Sequence, residues 1–585
     1  MNLGTNLGMN LGQPLGSVIE GSLSDGLEIK LHPDVLVEDM RVGKFLVVQG
    51  VRSRFFCMLT DVELRAANDR VLANPPGWED VFLREVLAGS ATYGTISLTP
   101  MLMFTPDSNE QYSETNRKSL NPFVPAKETG LASFQPQTST TMELLPVKTI
   151  PSHFSQVYEA LEEDFRRVFG WEDDTTRNNF SIGKPLDMDV PVCIDLGRFV
   201  ERSNGVFGKS GTGKSFLTRL VLAGVIKKSV AVNLIFDMHS EYGWEAVAEG
   251  KNINTVKGLK QLFPGKVEVY TLDPESTKRR GVRDAQELYL GYDQIEVEDI
   301  KLCSRDLGLS DASIDNANIR YSEFNKAWIV QLLSMSNDEI EALCNEKRGH
   351  KGSIMALQRK LFRLDSLKYM RAVCPQNYIN KILQSLEAGK NVVIEFGSQS
   401  NMLSYVLVTN MITRRIHEYY VKKADKYLQT KNPVDRPTPL MITIEEAHRF
   451  LDPAVVQSTI FGTIARELRK YFVTLLVVDQ RPSGIDNEIM SQIGTRITAL
   501  LNDEKDIDAI FTGVAGSASL RHVLAKLDSK QQALVLGHAV PMPVVVRTRP
   551  YDAKFYEEIG DTAWQEKPDE EVFAAAKLAK ADLGF

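Results

Sequence analysis

The run Gly208-Lys209-Ser210-Gly211-Thr212-Gly213-Lys214-Ser215 has residue types and spacing that suit one task, cradling phosphate. Its glycines let backbone N–H groups close around an anion, the lysine reaches the β- and γ-phosphates, and the following hydroxyl ligates a divalent cation. Those last two parts fall to Lys214 and Ser215, with Phe216 next along the chain. The chemistry this predicts is binding of a nucleoside triphosphate with Mg2+.

Phosphoryl transfer to water needs two further groups, one to hold the metal and one to orient the attacking water. The acid pair Glu445-Glu446 follows the apolar run 439–444 and precedes Ala447-His448. Side chains alternate along a strand, so the two carboxylates cannot share a role. Glu445 is assigned to the metal and Glu446 to water; the competing reading is an exposed acid pair at a strand end. A second apolar run, 473–478, leads to Asp479-Gln480-Arg481-Pro482-Ser483, where the Gln480 amide can sense the γ-phosphate. Upstream, Arg466, Arg469 and Lys470 occupy neighbouring helical positions. They read either as solvated charge or as cations donated to a neighbouring subunit's phosphates.

These residues work only if regular elements hold them at one edge of a sheet. A short apolar segment, Gly205-Val206-Phe207, precedes the glycine loop, and helical spacing follows it from Phe216. The run 230–236 ends in Asp237-Met238-His239-Ser240-Glu241-Tyr242, and 391–396 leads into a long amphipathic helix from Tyr405 to about Leu428. Strand alternating with helix predicts an α/β fold whose mostly parallel sheet is covered on both faces. Residues 146–280 and 391–550 form its two parts, with 281–390 a helical insertion between them.

Around this core the pattern changes. Residues 1–16 repeat Asn-Leu-Gly three times and read as a disordered low-complexity tail. Residues 17–104 alternate in short Val-, Ile- and Phe-rich segments separated by turn residues, as a small β-barrel does. Residues 105–145 read as a polar flexible loop, and 551–585 as a C-terminal helical tail, amphipathic from Thr562 onward.

Bulk properties narrow the function. A chain of 585 residues exceeds one core, and 43% apolar with 25% charged residues is ordinary globular composition. No apolar run is long enough to span a bilayer and no leader pattern opens the chain, so the expectation is a cytoplasmic protein without a membrane partner. Five scattered cysteines without a C-x-x-C pair argue against disulfides or zinc. The net charge of −8 offers no global basic footprint, yet a ring can hold nucleic acid in a lumen lined by a few cations. Lys278-Arg279-Arg280 and Lys347-Arg348 are candidate DNA contacts or plain solvated charge. Absence of an Asn-Lys-x-Asp guanine motif disfavours GTP, since Thr430-Lys431-Asn432-Pro433 lacks the acid.

Taken in order, the glycine loop, 237–242, Glu445-Glu446-Ala447-His448, Gln480-Arg481-Pro482-Ser483 and the late segment 532–537 resemble the HerA family, in the FtsK/HerA branch of hexameric P-loop ATPases. The resemblance implies a RecA-like ATPase domain behind a HAS-type barrel, and a homohexamer with ATP between subunits. It implies that Arg202, twelve residues before Lys214, and Arg466 or Arg469 contact nucleotide across the interface. The family more often has Asp where Glu445 stands. The activity implied is ATP-driven translocation along double-stranded DNA with a nuclease or other effector on the barrel face, in repair or anti-phage defence. The alternative is a ring that scaffolds and regulates a partner enzyme with little motor activity.

Overall fold

The computed structural model describes residues 13–67, 76–77, 79–106, 142–247, 255–282, 284–347, 350–374, 376–467, 470–514, 518–527 and 531–560. The expected tail at 1–12, most of the polar loop and the amphipathic segment from Thr562 lie outside them.

The first sheet is a closed barrel. Its strands run Gly26–Leu31, Gly16–Ser22, Gln156–Glu159, Phe45–Gln49, Arg54–Ala66, Thr92–Pro106 and Met142–Pro146, and Gly26–Leu31 also pairs with Thr92–Pro106 to close the ring. The sheet therefore extends past residue 104. Gln156–Glu159 inserts between the first and third strands of the chain, with Gly16 opposite Val157 and Val47 opposite Tyr158. Four residues are too few to declare a two-residue period, so only pairing reveals this strand.

Alternation sorts the barrel's side chains. Val18, Ile29, Leu46, Val48, Cys57, Leu59, Ile96 and Val157 fill its interior. The intervening Phe45, Val47, Phe56, Met58 and Phe104 are also buried, in the core of the other domain. There Phe165, on the helix Glu162–Phe169, meets the rings of Phe45 and Phe56 edge-on at 5.5 and 5.4 Å. Arg54 and Asp164, both buried, pair at 3.2 Å beside them. One barrel wall is thus a domain junction.

The second sheet has twelve strands. Eight are parallel, in the order Gln286–Glu287, Val267–Thr271, Asn391–Glu395, Val232–Asp237, Leu440–Glu445, Val473–Asp479, Asn204–Phe207 and Thr495–Thr498. Gln532–Gly537, Val544–Thr548, Asn179–Lys184 and Val192–Asp195 continue it antiparallel. Every residue of Val232–Asp237, Asn391–Glu395, Leu440–Glu445 and Val473–Asp479 is buried, as parallel strands covered on both faces require. Their order gathers four carboxyl ends: register sets Phe207 beside Asp479 and Glu445 beside Val478.

Between Gln286–Glu287 and Asn391–Glu395 the described chain is mainly helical, around the fully buried Trp328, whose indole N–H donates to the Ile295 carbonyl at 3.0 Å. This layer is tied to the long helix Met402–Thr430 by Arg414, whose guanidinium pairs with buried Asp299 at 2.8 Å. Asn401 starts that helix by accepting the Ser404 N–H. No described helix is long and apolar enough to cross a membrane.

Candidate nucleotide-binding and hydrolysis site

The strand Asn204–Phe207 ends at Gly208, and the helix Lys214–Lys228 begins six residues later. Gly208 has φ +155°, and a Cβ there would sit 2.8 Å from Thr212 Oγ1 and 2.9 Å from Ala499 Cβ, so the chain passes only without a side chain. Gly213, at φ +93°, occupies the cap position and supplies no side-chain acceptor, which leaves the helix's first N–H groups facing the loop's interior. The loop is pinned from outside by Lys209 N–H donating to the Leu500 carbonyl at 3.1 Å. Inside, Thr212 Oγ1 and Lys214 Nζ both donate to the Lys209 carbonyl, at 2.7 and 3.2 Å. A cavity of about 1030 Å³ opens here, lined by Ser210 through Leu217, by Glu445, Glu446 and Gln480, and on its far wall by Thr548 through Ala553.

Glu445 is the last residue of its strand and is buried. Its Oε1 accepts the Tyr242 hydroxyl at 2.9 Å, while Tyr405 Oη binds its backbone N–H at 2.8 Å and its carbonyl at 3.0 Å. Its Oε2 is buried with no hydrogen-bond partner among the described residues. Burial, with the Asp237 charge adding, pushes this carboxyl up to about 8, and the Tyr242 hydrogen bond pulls it back. A spare buried carboxylate oxygen and the Ser215 hydroxyl, both lining one cavity, are hard oxygen donors of the kind Mg2+ takes; the residues fit that ion.

Glu446 departs from the strand. It has φ +47°, a left-handed conformation that burdens a non-glycine residue by about 1–2 kcal/mol. This turn, rather than strand alternation, separates the two carboxylates, because the strand stops at Glu445. Glu446 Oε1 accepts the Gln480 amide at 3.1 Å, so the structure brings together two residues that lie 34 apart in sequence.

Neighbouring residues support the pair. Asp237, fully buried at the end of its strand, accepts N–H bonds from Glu241, Tyr242 and Gly243 at 2.7, 2.8 and 3.0 Å, a turn that delivers the Tyr242 hydroxyl to Glu445. Beside it the Glu395 carboxyl is pushed up to about 7 by burial and the Asp237 charge, against the pull of Arg280. Arg280 is therefore turned inward to Glu395, while Lys278 and Arg279 are exposed, so that basic run does not act as one surface unit. Arg348 lies outside the described residues. Tyr242 and Asp479 carried a weak signal in sequence, since each sits in a motif but its partner is distant along the chain, and Tyr405 carried none beyond its place at the start of a helix.

Arg202 stands six residues before Gly208, at the opposite end of the strand, roughly 20 Å away by chain geometry. It lines a second cavity, of about 1780 Å³, between the barrel and the amino-terminal edge of the sheet, together with Glu467 and Lys470. Arg466 closes the helix Ile460–Glu467 and keeps Nη1 buried without a partner among the described residues. Neither Arg202 nor Arg466 is among the residues lining the cavity over the chain's own glycine loop, and Arg469 lies outside the described residues.

Residues 180–416 match the family described as helicase HerA, central domain, and residues 15–130 match the HAS barrel domain. The DNA double-strand break repair helicase HerA of Pyrococcus furiosus is 24% identical over 422 residues, covering 69% of this chain and 74% of that protein. Its namesake in Sulfurisphaera tokodaii is 26% identical over 402 residues, 68% of this chain and 73% of that one. Among solved structures, VirB4 of Thermoanaerobacter pseudethanolicus aligns with a TM-score of 0.40 at 16% identity, over 65% of this chain and 98% of its own.

Proposed function

We propose, starting from a chain that is a HerA-like ATP hydrolase of the FtsK/HerA family, that it works as a homohexameric motor on double-stranded DNA. A nuclease or other effector seated on the barrel face is its partner, in DNA repair or anti-phage defence within the cytoplasm. The relatives named as DNA double-strand break repair helicases support the DNA substrate. One observation carries the hydrolytic part: the Glu446 carboxylate, set apart by a left-handed turn and tethered to Gln480, lines the same cavity as Lys214.

In this reading the backbone N–H groups of Gly208 to Phe216 and the Lys214 ammonium hold the phosphates of ATP. Ser215 and Glu445 hold Mg2+, which when bound neutralises charge on the phosphate oxygens. Glu446 orients a water molecule and takes its proton as the water oxygen bonds to the γ-phosphorus. The bridging P–O bond breaks and ADP leaves with its electron pair. Gln480 couples the position of Glu446 to the γ-phosphate. Arg202 and Arg466 or Arg469 come from the neighbouring subunit; the place of Arg202 at the far end of its strand from its own glycine loop supports that assignment for it.

The test is the ATPase rate of the assembled protein with and without linear duplex DNA, at low and moderate salt, after ring mass has been measured. Glu446→Gln serves as the blank, expected to lose about 10²–10⁴ in rate. Stimulation by DNA that fades with salt supports the motor. Glu446-dependent hydrolysis indifferent to DNA refutes it and leaves a ring that regulates its partner.

A further inference from the structure

We propose that His448 is a positioning residue for hydrolysis, its imidazole anchored on Asp479 so as to hold the Glu446 carboxylate in place. This rests on the reading of Glu446 as the group that polarises water.

Three contacts carry the inference. His448 Nδ1 lies 3.0 and 3.2 Å from the two Asp479 carboxylate oxygens and 3.6 Å from Glu446 Oε2. His448 also donates its backbone N–H to Asp479 Oδ2 at 2.7 Å, and Arg481 N–H donates to Oδ1 at 2.7 Å. Asp479 is buried at the end of Val473–Asp479, the strand beside the one that carries Glu445. It is therefore a fixed post between the two halves of the site.

A nitrogen facing two carboxylates carries a proton; that assignment follows from the acceptors around it. Nδ1–H donates to Asp479, which is within hydrogen-bond distance, and the ring edge so anchored stands 3.6 Å from Glu446 Oε2. The Asp479 hydrogen bond, with the nearby acid charges, raises the imidazole's basicity against partial burial and the Arg449 charge. Glu446 is then confined on both sides, Oε1 by a hydrogen bond from the Gln480 amide and Oε2 by the anchored His448 ring standing beside it. Glu446, His448 and Asp479 also form a group whose ligand atoms lie within 4.8 Å of one another. Two backbone N–H groups already occupy the Asp479 oxygens, however, so the set reads as a proton-bridged support rather than a metal site.

His448 is not among the residues lining the cavity over the glycine loop, so losing it should leave nucleotide binding alone. Misplacing a reacting group by about 1 Å costs about 10²-fold in rate. His448→Ala is therefore expected to lower kcat about 10- to 100-fold, with KM for ATP unchanged within about threefold. His448→Asn, whose amide N–H can stand where Nδ1–H stood, is expected to recover at least about a third of the rate. Steady-state ATPase assays on the full chain, with fluorescent ATP-analogue binding and thermal melting of each variant, decide it. Equal loss in the Ala and Asn variants, or a wild-type kcat in His448→Ala, overturns the proposal. If Glu446→Gln alone is inactive while His448→Ala is not, only the role of His448 fails. If Glu446→Gln hydrolyses at the wild-type rate, the reading of Glu446 fails first.

Discussion

Tyr242→Phe removes one hydroxyl and keeps the ring. That ring is fully buried, so packing is preserved and the loss is confined to the 2.9 Å hydrogen bond to Glu445 Oε1. Glu445 Oε2 is already without a partner among the described residues, so the variant leaves the side chain with neither oxygen satisfied. With the cation bound the Glu445 carboxyl is ionised; a hydrogen bond to a charged group contributes about 1.5–3 kcal/mol, and 1.4 kcal/mol is about tenfold in affinity. If Glu445 is a ligand of Mg2+, loosening its orientation should weaken metal binding about 10- to 100-fold. The direct assay is binding of Mn2+ in place of Mg2+, followed by electron paramagnetic resonance with ADP present, beside the Mg2+ dependence of ATPase activity. The half-saturating metal concentration should rise in both, while KM for ATP at saturating metal stays near that of the wild type. Unchanged metal affinity in a well-folded Tyr242→Phe would refute either the ligand role of Glu445 or its orientation by Tyr242.

Other perturbations separate buried from exposed chemistry. Arg280→Gln removes the cation from the buried Glu395 carboxyl, which then takes up a proton and keeps unpartnered buried oxygens, and should destabilise the protein by about 1–3 kcal/mol, whereas Lys278→Gln, at an exposed position, should stay within about 0.5 kcal/mol in chemical denaturation. Phe165→Ala empties the aromatic junction between barrel and sheet and should cost about 3–5 kcal/mol, seen as earlier proteolytic release of the barrel in a denaturant series. Gly208→Ala drives a methyl into Thr212 and Ala499, so ATP affinity measured by calorimetry should fall about tenfold or more.

The junction at Phe165 also bears on how firmly the two domains are joined. Phe45, Phe56 and Phe104 project from barrel strands into the core of the sheet domain, and the buried Arg54–Asp164 pair adds a directional tie. Such packing closes the junction at the density of a protein interior.

Much of the molecule was legible in the chain because its signals are local. Gly208 to Ser215 declares itself by residue type, and the runs ending at Asp237, Glu445 and Asp479 by nearly continuous apolar character, which a parallel strand covered on both faces requires. The helix Met402–Thr430 follows from its periodicity to within a few residues at either end. Tertiary structure alone decided what depends on pairing between distant segments. Gln156–Glu159 belongs to the barrel because it hydrogen-bonds Gly16–Ser22 and Phe45–Gln49, a fact that four residues cannot encode by themselves. Glu446 diverges from Glu445 through a backbone turn, and its tie to Gln480 exists because Leu440–Glu445 and Val473–Asp479 are neighbours in the sheet. Arg280 reads as surface charge along the chain and proves to be the partner of a buried acid, since burial is a property of the packed molecule and not of residue type.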